Sequence, residues 1–256
     1  MLPNPDSQPR SMNRAYWDGV SKNYRGEVLS VYHHDHLHLV QNRIASAGKS
    51  QPAARAADLG CGVGHFTPAL AKAFAHVDAC DLSSNGVDAT RQICSPFPNV
   101  TVHQLDLATD LVPFEPVDFA LCVNVLIMPS LDERLRAWRA VTNQVASGGT
   151  LLLVVPSLES VQMELFRAVD AHIEDGQSCA EAQHHGHTQS ATIKELQQGV
   201  HQLDGLPTKH YLRAELEDML PAHEFDIQEL LKIDYPAEPQ ASLAPSWDWL
   251  ALAKRR

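Results

Sequence analysis

The chain has 256 residues, 44% hydrophobic and 20% charged, ordinary figures for a globular enzyme and enough for one sizeable buried core. No apolar run approaches the roughly 20 residues that span a bilayer, and the Pro-, Ser- and Asn-rich stretch from Met1 to Asn13 lacks the apolar segment of a secretory signal. The formal net charge of -11 disfavours a nucleic-acid partner; the short basic clusters, Arg134, Arg136 and Arg139 and then Lys254 to Arg256, read as solvated surface.

Residues 1–12 read as a disordered leader. Five cysteines, an odd number with no CxxC pair, encode neither a disulfide framework nor a zinc knuckle. They fit a reducing compartment, so a cytoplasmic location is expected, with no membrane partner. The dense histidines (His33, His34, His36 and His38; His184, His185 and His187) have no Cys or carboxylate at a known ligand spacing, and no metal is expected.

From Ala54 onward short apolar strands alternate with amphipathic helices, the pattern of a parallel sheet with crossover helices. A first strand covers Ala54–Leu59, and a helix from about Phe66 places Leu70, Ala73 and Phe74 at helical spacing. A second strand, Val77–Cys80, ends at Asp81. Ser83 or Ser84 is the expected cap of a helix over Asn85–Cys94, stopped by Pro96 and Pro98. The third strand is Val100–Leu105, ending at Asp106. The fourth, Val117–Val125, is nearly continuous in apolar residues, as in a strand buried on both faces.

A helix from Asp132 sets Leu135, Trp138, Thr142 and Val145 on one face, with Gly148-Gly149 as its expected C-cap. Thr150–Val155 is the fifth strand. Val161, Leu165, Val169 and Ile173 then recur every four residues in another helix. A polar, His-rich stretch, Gly176–Gln189, reads as a loop or lid. A short helix over about Arg213–Leu220 precedes two last strands, Phe225–Tyr235 and Trp247–Ala253, joined by the Pro-rich connection Pro236–Pro245.

The sharpest motif is Asp58-Leu59-Gly60-Cys61-Gly62-Val63-Gly64 at the first strand-to-helix turn. Glycines there permit a tight turn and a close backbone approach to a ligand. Asp81, 23 residues after Asp58, stands at the offset of a carboxylate that accepts from ribose hydroxyls. Asp106, at the end of the third strand, is placed to accept from an exocyclic adenine amine. Taken singly, either Asp is equally a turn residue; together they mark the carboxyl ends of parallel strands, where open α/β sheets bind ligands. Dinucleotide sites prefer GxGxxG and would not set Asp58 beside a pyrophosphate, which disfavours a nicotinamide oxidoreductase, and no GK[ST] follows for a P-loop.

The strings "ADLGCGVGHF", "DACDLS" and "QLDL" resemble those of class I S-adenosylmethionine-dependent methyltransferases, especially the branch acting on small molecules. The resemblance covers Trp17 to Val155 well and the C-terminal strands loosely. It implies an α/β, Rossmann-like, seven-stranded and mostly parallel sheet with helices on both faces. The last strand would be antiparallel, inserted between its neighbours, and a lid would follow strand five. Residues 13–50 would form a helical cover and 51–256 the cofactor-binding domain, with the lid insertion at 157–206.

By position, the resemblance implies that Gly60, Gly62 and Gly64, with Cys61 in the same loop, cradle the methionine end of S-adenosyl-L-methionine. Asp58 would anchor the loop and reach the cofactor's amino group. Asp81 would hold the ribose, Leu82 would lie against the adenine, and Asp106 would bind the adenine amine near the Leu107 N–H. Asn124 would supply a backbone contact beside the methyl donor, and Tyr24 a contact from the cover, unless it is core packing.

The activated methyl comes with the cofactor, so the protein mainly positions the acceptor and excludes water. The exit of the fourth strand, Asn124-Val125-Leu126-Ile127-Met128-Pro129, lacks both the Asn/Asp-Pro-Pro-aromatic motif of amine-methylating nucleic-acid and protein branches and the histidine of many small-molecule relatives. Pro207-Thr208-Lys209-His210-Tyr211 resembles a pocket segment of this branch, making His210 the candidate catalytic base or pocket donor, with a structural histidine as the other reading. The expected function is methyl transfer to an O, S or N centre of a small molecule. RNA or protein methylation, or a non-catalytic partner subunit of the same fold, are the alternatives.

Overall fold

The computed structural model describes residues 12–23, 31–186, 193–203, 206–235 and 246–256. Tyr24, His187, the connection 236–245 and all of the leader except Met12 lie outside them. Seven strands form one sheet in the order β3-β2-β1-β4-β5-β9-β8. They are β1 (Arg55–Leu59), β2 (His76–Asp81), β3 (Val100–Gln104), β4 (Val117–Val123), β5 (Val145–Pro156), β8 (Phe225–Asp234) and β9 (Trp247–Arg255). Strands β1 to β5 pair in parallel, and β9 runs antiparallel between β5 and β8. The expected Rossmann-like sheet with an inserted antiparallel last strand is therefore present.

Strand alternation sorts the core into two layers. In β4, Ala120 and Cys122 join one layer with Trp138, Leu216 and Leu220. Phe119 and Leu121 join the other with Val40, Ile44, Leu70 and Phe74. The first layer is closed by α6 (Leu131–Asn143) and α10 (Arg213–Ala222), the second by α3 (Leu39–Ser50) and α4 (Thr67–Ala73). Both faces being covered explains why β4 and β5 read as continuous apolar runs. Helix α5 (Ser84–Ile93) links β2 to β3, with Ser83 as its cap, accepting from Gly86 N at 3.0 Å. Ahead of α3 stand α1 (Arg14–Val20), a 3-10 turn over Ser21–Asn23 and α2 (Val31–His34).

Several expectations need correction. The apolar face of α6 is Ala137, Trp138, Val141 and Thr142, while Leu135 is exposed. Arg134 is buried on that face, donating to the Met128 and Pro129 carbonyls, so it is not solvated surface. Glycines 148 and 149 do not cap α6. The helix ends at Asn143 with Gln144 as its cap, and both glycines lie inside β5, which starts at Val145. Strand β4 stops at Val123, because Asn124 turns into the left-handed region at φ 53°. The His-rich stretch is not all loop: after α7 (Leu158–Glu174), residues Cys179–Gly186 form α8.

A short helix, α9 (Ile193–Gln197), leads into an unforeseen hairpin of β6 (Val200–Leu203) and β7 (Leu206–Lys209). Its sequence signal was present, since Asp204-Gly205 between two short β-prone runs is a two-residue hairpin pattern. The hairpin returns the chain to β5: Tyr211 N donates to Pro156 O and Leu158 N to Tyr211 O. The insertion thus leaves and rejoins the sheet at one point beside the carboxyl end of β5. Among the described residues no helix is long and apolar enough to cross a membrane.

Candidate functional site

A cavity of about 610 Å³ lies over the carboxyl ends of the strands, within the range of small-molecule sites. Its floor is the β1–α4 loop. Gly60 has φ +81°, and a Cβ there would meet a Val125 side-chain carbon at 2.1 Å, so no other residue fits. Gly60 N and Cys61 N both donate to Cys80 O at 2.8 Å, which ties the loop to β2. Gly62 N donates to Asp81 Oδ2 and Ser83 N to Asp81 Oδ1, each at 2.8 Å. Asp81 thus organises the loop through two of its roughly four lone-pair positions and retains capacity for a ligand. Burial raises its carboxyl, against those stabilising donors.

Asp106 accepts from Ala108 N at 2.8 Å, and its own N–H donates to Asp110 Oδ2 at 2.8 Å. This tight turn presents Leu107 and Ala108 along the same wall. Of the residues singled out from sequence, Gly60, Gly62, Asp81 and Leu82 line the cavity, as do Asp106, Leu107, Asn124 and His210.

Asp58, Cys61 and Gly64 stand behind the wall. Asp58 is buried and accepts from Thr67 Oγ1 at 2.6 Å, pinning the loop to α4; burial pushes its carboxyl up to about 7. The Cys61 thiol is 3.5 Å from Thr90 Oγ1 and is pushed up by burial and by Asp58, so it is a packed thiol, not a nucleophile. At Gly64 a Cβ would sit 2.8 Å from Thr90 Oγ1, so this glycine lets α5 close on the loop.

His210 is buried and in edge contact with His201. Its Nδ1 lies 3.0 Å from the Thr208 carbonyl, which can only accept, so Nδ1 carries the proton and Nε2 keeps its lone pair. Burial lowers this imidazole to about 4. The neutral ring therefore offers an acceptor at Nε2, correcting the expectation of a pocket donor, and is a weak base.

Two features escaped the sequence. The first is the way Asp18 fastens α1, within the segment expected to form the cover, to the site. Asp18 Oδ1 accepts from Ser83 Oγ at 2.8 Å and Ser84 Oγ at 3.1 Å, while Asn85 Nδ2 donates to Asp18 O at 2.8 Å. Arg14, Tyr16 and Trp17 of this helix line the cavity, so α1 is a lid fastened beside Asp81.

The second is a buried polar group at the opposite end. Asp248 of β9 accepts at Oδ2 from Tyr235 Oη at 2.6 Å and Asn124 Nδ2 at 2.8 Å, and burial raises its carboxyl. Glu164 of α7, raised by burial and bonded by Ser246, lies nearby. The signal was a lone carboxylate within the apolar run Trp247–Ala253. Among the described residues no group of three or more His, Cys, Asp or Glu is placed to hold a metal ion.

Residues 56–149 match the family model of the methyltransferase domain. No curated protein matches the chain by sequence. Solved structures share the fold. Magnesium protoporphyrin IX methyltransferase (ChlM) from Synechocystis PCC 6803, with bound SAH, is 15% identical with a TM-score of 0.59, over 95% of this chain and 98% of that one. N-methyltransferase NodS from Bradyrhizobium japonicum WM9, with S-adenosyl-L-homocysteine, is 14% identical at 0.53, over 84% and 85%. A structure of the conversion of a disulfide bond into a thioacetal group during echinomycin biosynthesis is 20% identical at 0.56, over 94% and 92%.

The residues present fit S-adenosyl-L-methionine, which the same porphyrin methyltransferase holds in a second structure. Its ribose hydroxyls and adenine amine are donors, matched by the Asp81 and Asp106 carboxylates. Its sulfonium and ammonium are cationic, and Asp58 behind the loop suits them where it would oppose a pyrophosphate.

Proposed function

We propose, from the premise that this chain carries a methyltransferase domain using S-adenosyl-L-methionine, that it transfers the methyl group to an O, S or N centre of a small molecule. The observation that carries this reading is that one cavity is lined by the glycine loop with its two carboxylates, by Ser160, Val161 and Leu206 of the inserted segment, and by Thr208 and His210 just after it. A cavity of this size suits a compact acceptor. The acidic balance of the chain supports the same choice over nucleic acid. The names of two structural neighbours, a porphyrin methyltransferase and an echinomycin-forming protein, likewise point to small molecules.

When bound, the cofactor supplies an activated methyl electrophile, so the chain's part is placement. In this reading Gly60 and Gly62 admit the methionine end, with Gly64 and Cys61 shaping the loop. Asp58 holds the loop from behind and biases it toward a cation. Asp81 binds the ribose, Leu82 lies against the adenine, and Asp106 accepts from its amine near the Leu107 N–H. Asn124, in its left-handed turn, directs its backbone toward the reacting centre. Ile127 and Met128 form an apolar wall that excludes water. His210 Nε2 accepts a hydrogen bond from the acceptor and fixes its orientation. Tyr24 stays a proposed contact from the cover. The test is transfer of labelled methyl from S-adenosyl-L-methionine to a small-molecule acceptor library by the purified chain; label appearing only in RNA or protein would overturn the small-molecule reading.

A further inference from the structure

The end of the cavity away from the cofactor carboxylates has an unusual charge balance. Asp248 is 7% exposed, yet its described partners are two neutral donors, Tyr235 and Asn124, and both bonds fall on Oδ2. Glu164 is held by Ser246. Among the described residues no ion pair reaches either carboxylate, whereas buried Asp78 elsewhere has Arg55 at 2.9 Å. A carboxylate buried without a cation is costly, as at Asp248, and burial raises that group and, in part, the half-buried Glu164.

The two belong to one wall. Ser246 and Asp248 are two residues apart, Trp247 N between them donates to Ser160 Oγ at 2.9 Å, and Ser160 lies one helical turn before Glu164 on α7. The one basic residue among the described lining, Arg14, belongs to α1, whose Asp18 is fixed at Ser83 on the cofactor side. Nearby His210 is neutral and offers only a lone pair. This half of the cavity therefore presents acceptors and negative charge, and no cation to pair with an acidic substrate.

We propose that the methyl acceptor is an amine that enters as its ammonium ion and is seated between Asp248 and Glu164. This rests on the small-molecule methyltransferase reading and names its substrate class. An ammonium supplies the missing positive charge and N–H groups that can donate to both carboxylates. An acceptor that methylates through a carboxylate would meet two carboxylates and no cation. An ammonium has no lone pair to give, so one N–H bond must break heterolytically. The proton passes to the Asp248 carboxylate and the bonding pair stays on nitrogen as the nucleophilic lone pair; that pair would form the N–CH3 bond as the cofactor's S–CH3 bond breaks with its electrons left on sulfur, and the proton leaves Asp248 to solvent after the product departs. Tyr235 and Asn124 hold the carboxylate in place for this exchange.

The test uses the whole protein saturated with S-adenosyl-L-homocysteine and a panel of matched probes. Each scaffold is offered as amine, alcohol and carboxylate, for example benzylamine, benzyl alcohol and benzoate, and binding is followed by calorimetry and melting temperature. Amines are expected to bind more tightly than their counterparts. Asp248→Asn and Glu164→Gln should each weaken amine binding about tenfold or more, with homocysteine-product affinity unchanged. Asp248→Asn preserves an oxygen for Tyr235, so it separates charge from folding. If no amine outperforms its alcohol and carboxylate counterparts, or if Asp248→Asn leaves amine affinity unaltered, the proposal is overturned. If S-adenosyl-L-homocysteine itself does not bind, the underlying methyltransferase reading fails instead.

Discussion

Asp18, on the first helix, and Ser83, which caps the helix after β2, are joined side chain to side chain at 2.8 Å across 65 positions of sequence. Ser83 is also the residue whose backbone N–H donates to Asp81. One short chain of hydrogen bonds thus links the lid to the carboxylate proposed to hold the ribose. Cofactor binding should tighten this link, and the link should slow cofactor escape. Asp18→Ala is expected to weaken S-adenosyl-L-homocysteine binding by about three- to tenfold, the value of one or two such bonds. Its ligand-free melting temperature should hardly change, because α1 buries only Val20. Equal affinities, by calorimetry, would show the lid to be indifferent to the site.

Asp81→Ala is expected to do more. It removes the proposed charged hydrogen bonds to the cofactor, about 1.5–3 kcal/mol or ten- to a hundredfold in affinity. It also leaves Gly62 N and Ser83 N without their acceptor, so the ligand-free protein should melt at a lower temperature. A variant with full affinity and a lowered melting temperature would make Asp81 a loop-organising turn residue alone.

Asp58 gives the account a pH signature. Its carboxyl is raised from 3.8 to about 7 by burial, so between those values the folded chain holds more protons than the unfolded one. Stability from this group is therefore whole at low pH and lost as pH rises through the window, on the order of 4 kcal/mol at most. Asp58→Asn keeps an acceptor for Thr67 and should remove the loss. Urea unfolding of ligand-free wild type and variant at pH 5 and pH 8 should show the variant gaining relative stability at pH 8. A difference independent of pH would contradict the buried, uncompensated carboxylate.

His210 should act on the acceptor alone. His210→Asn can still donate to the Thr208 carbonyl but removes the Nε2 lone pair. It is expected to raise the acceptor KM and lower turnover about ten- to a hundredfold, less than loss of a strong general base would cost. Cofactor affinity should stay unchanged. Unaltered steady-state kinetics with a lowered melting temperature would reduce His210 to a packing residue.

The half of the cavity proposed for the cofactor was legible in sequence because its devices are local. A glycine loop, a helix cap at Ser83 and carboxylates at strand ends all follow from neighbours a few positions apart. The acceptor half was not, because it is assembled across long separations. Asn124 and Asp248 meet across 124 positions and Lys209 N reaches Ile127 O, contacts that no periodicity announces. Arg134 misled for a related reason: a guanidinium on an amphipathic helix reads as solvent-facing, yet two free carbonyls at Met128 and Pro129 draw it inward. Position 148 misled because glycine suits both a helix end and a bent strand, and only the sheet register in β5 decides between them.

The most direct test of the account is calorimetric titration of the purified chain with S-adenosyl-L-homocysteine and, separately, with NAD. The glycine loop backed by Asp58 and flanked by Asp81 and Asp106 predicts one-to-one binding of S-adenosyl-L-homocysteine and none of NAD. Saturable NAD binding with no heat from S-adenosyl-L-homocysteine would contradict it.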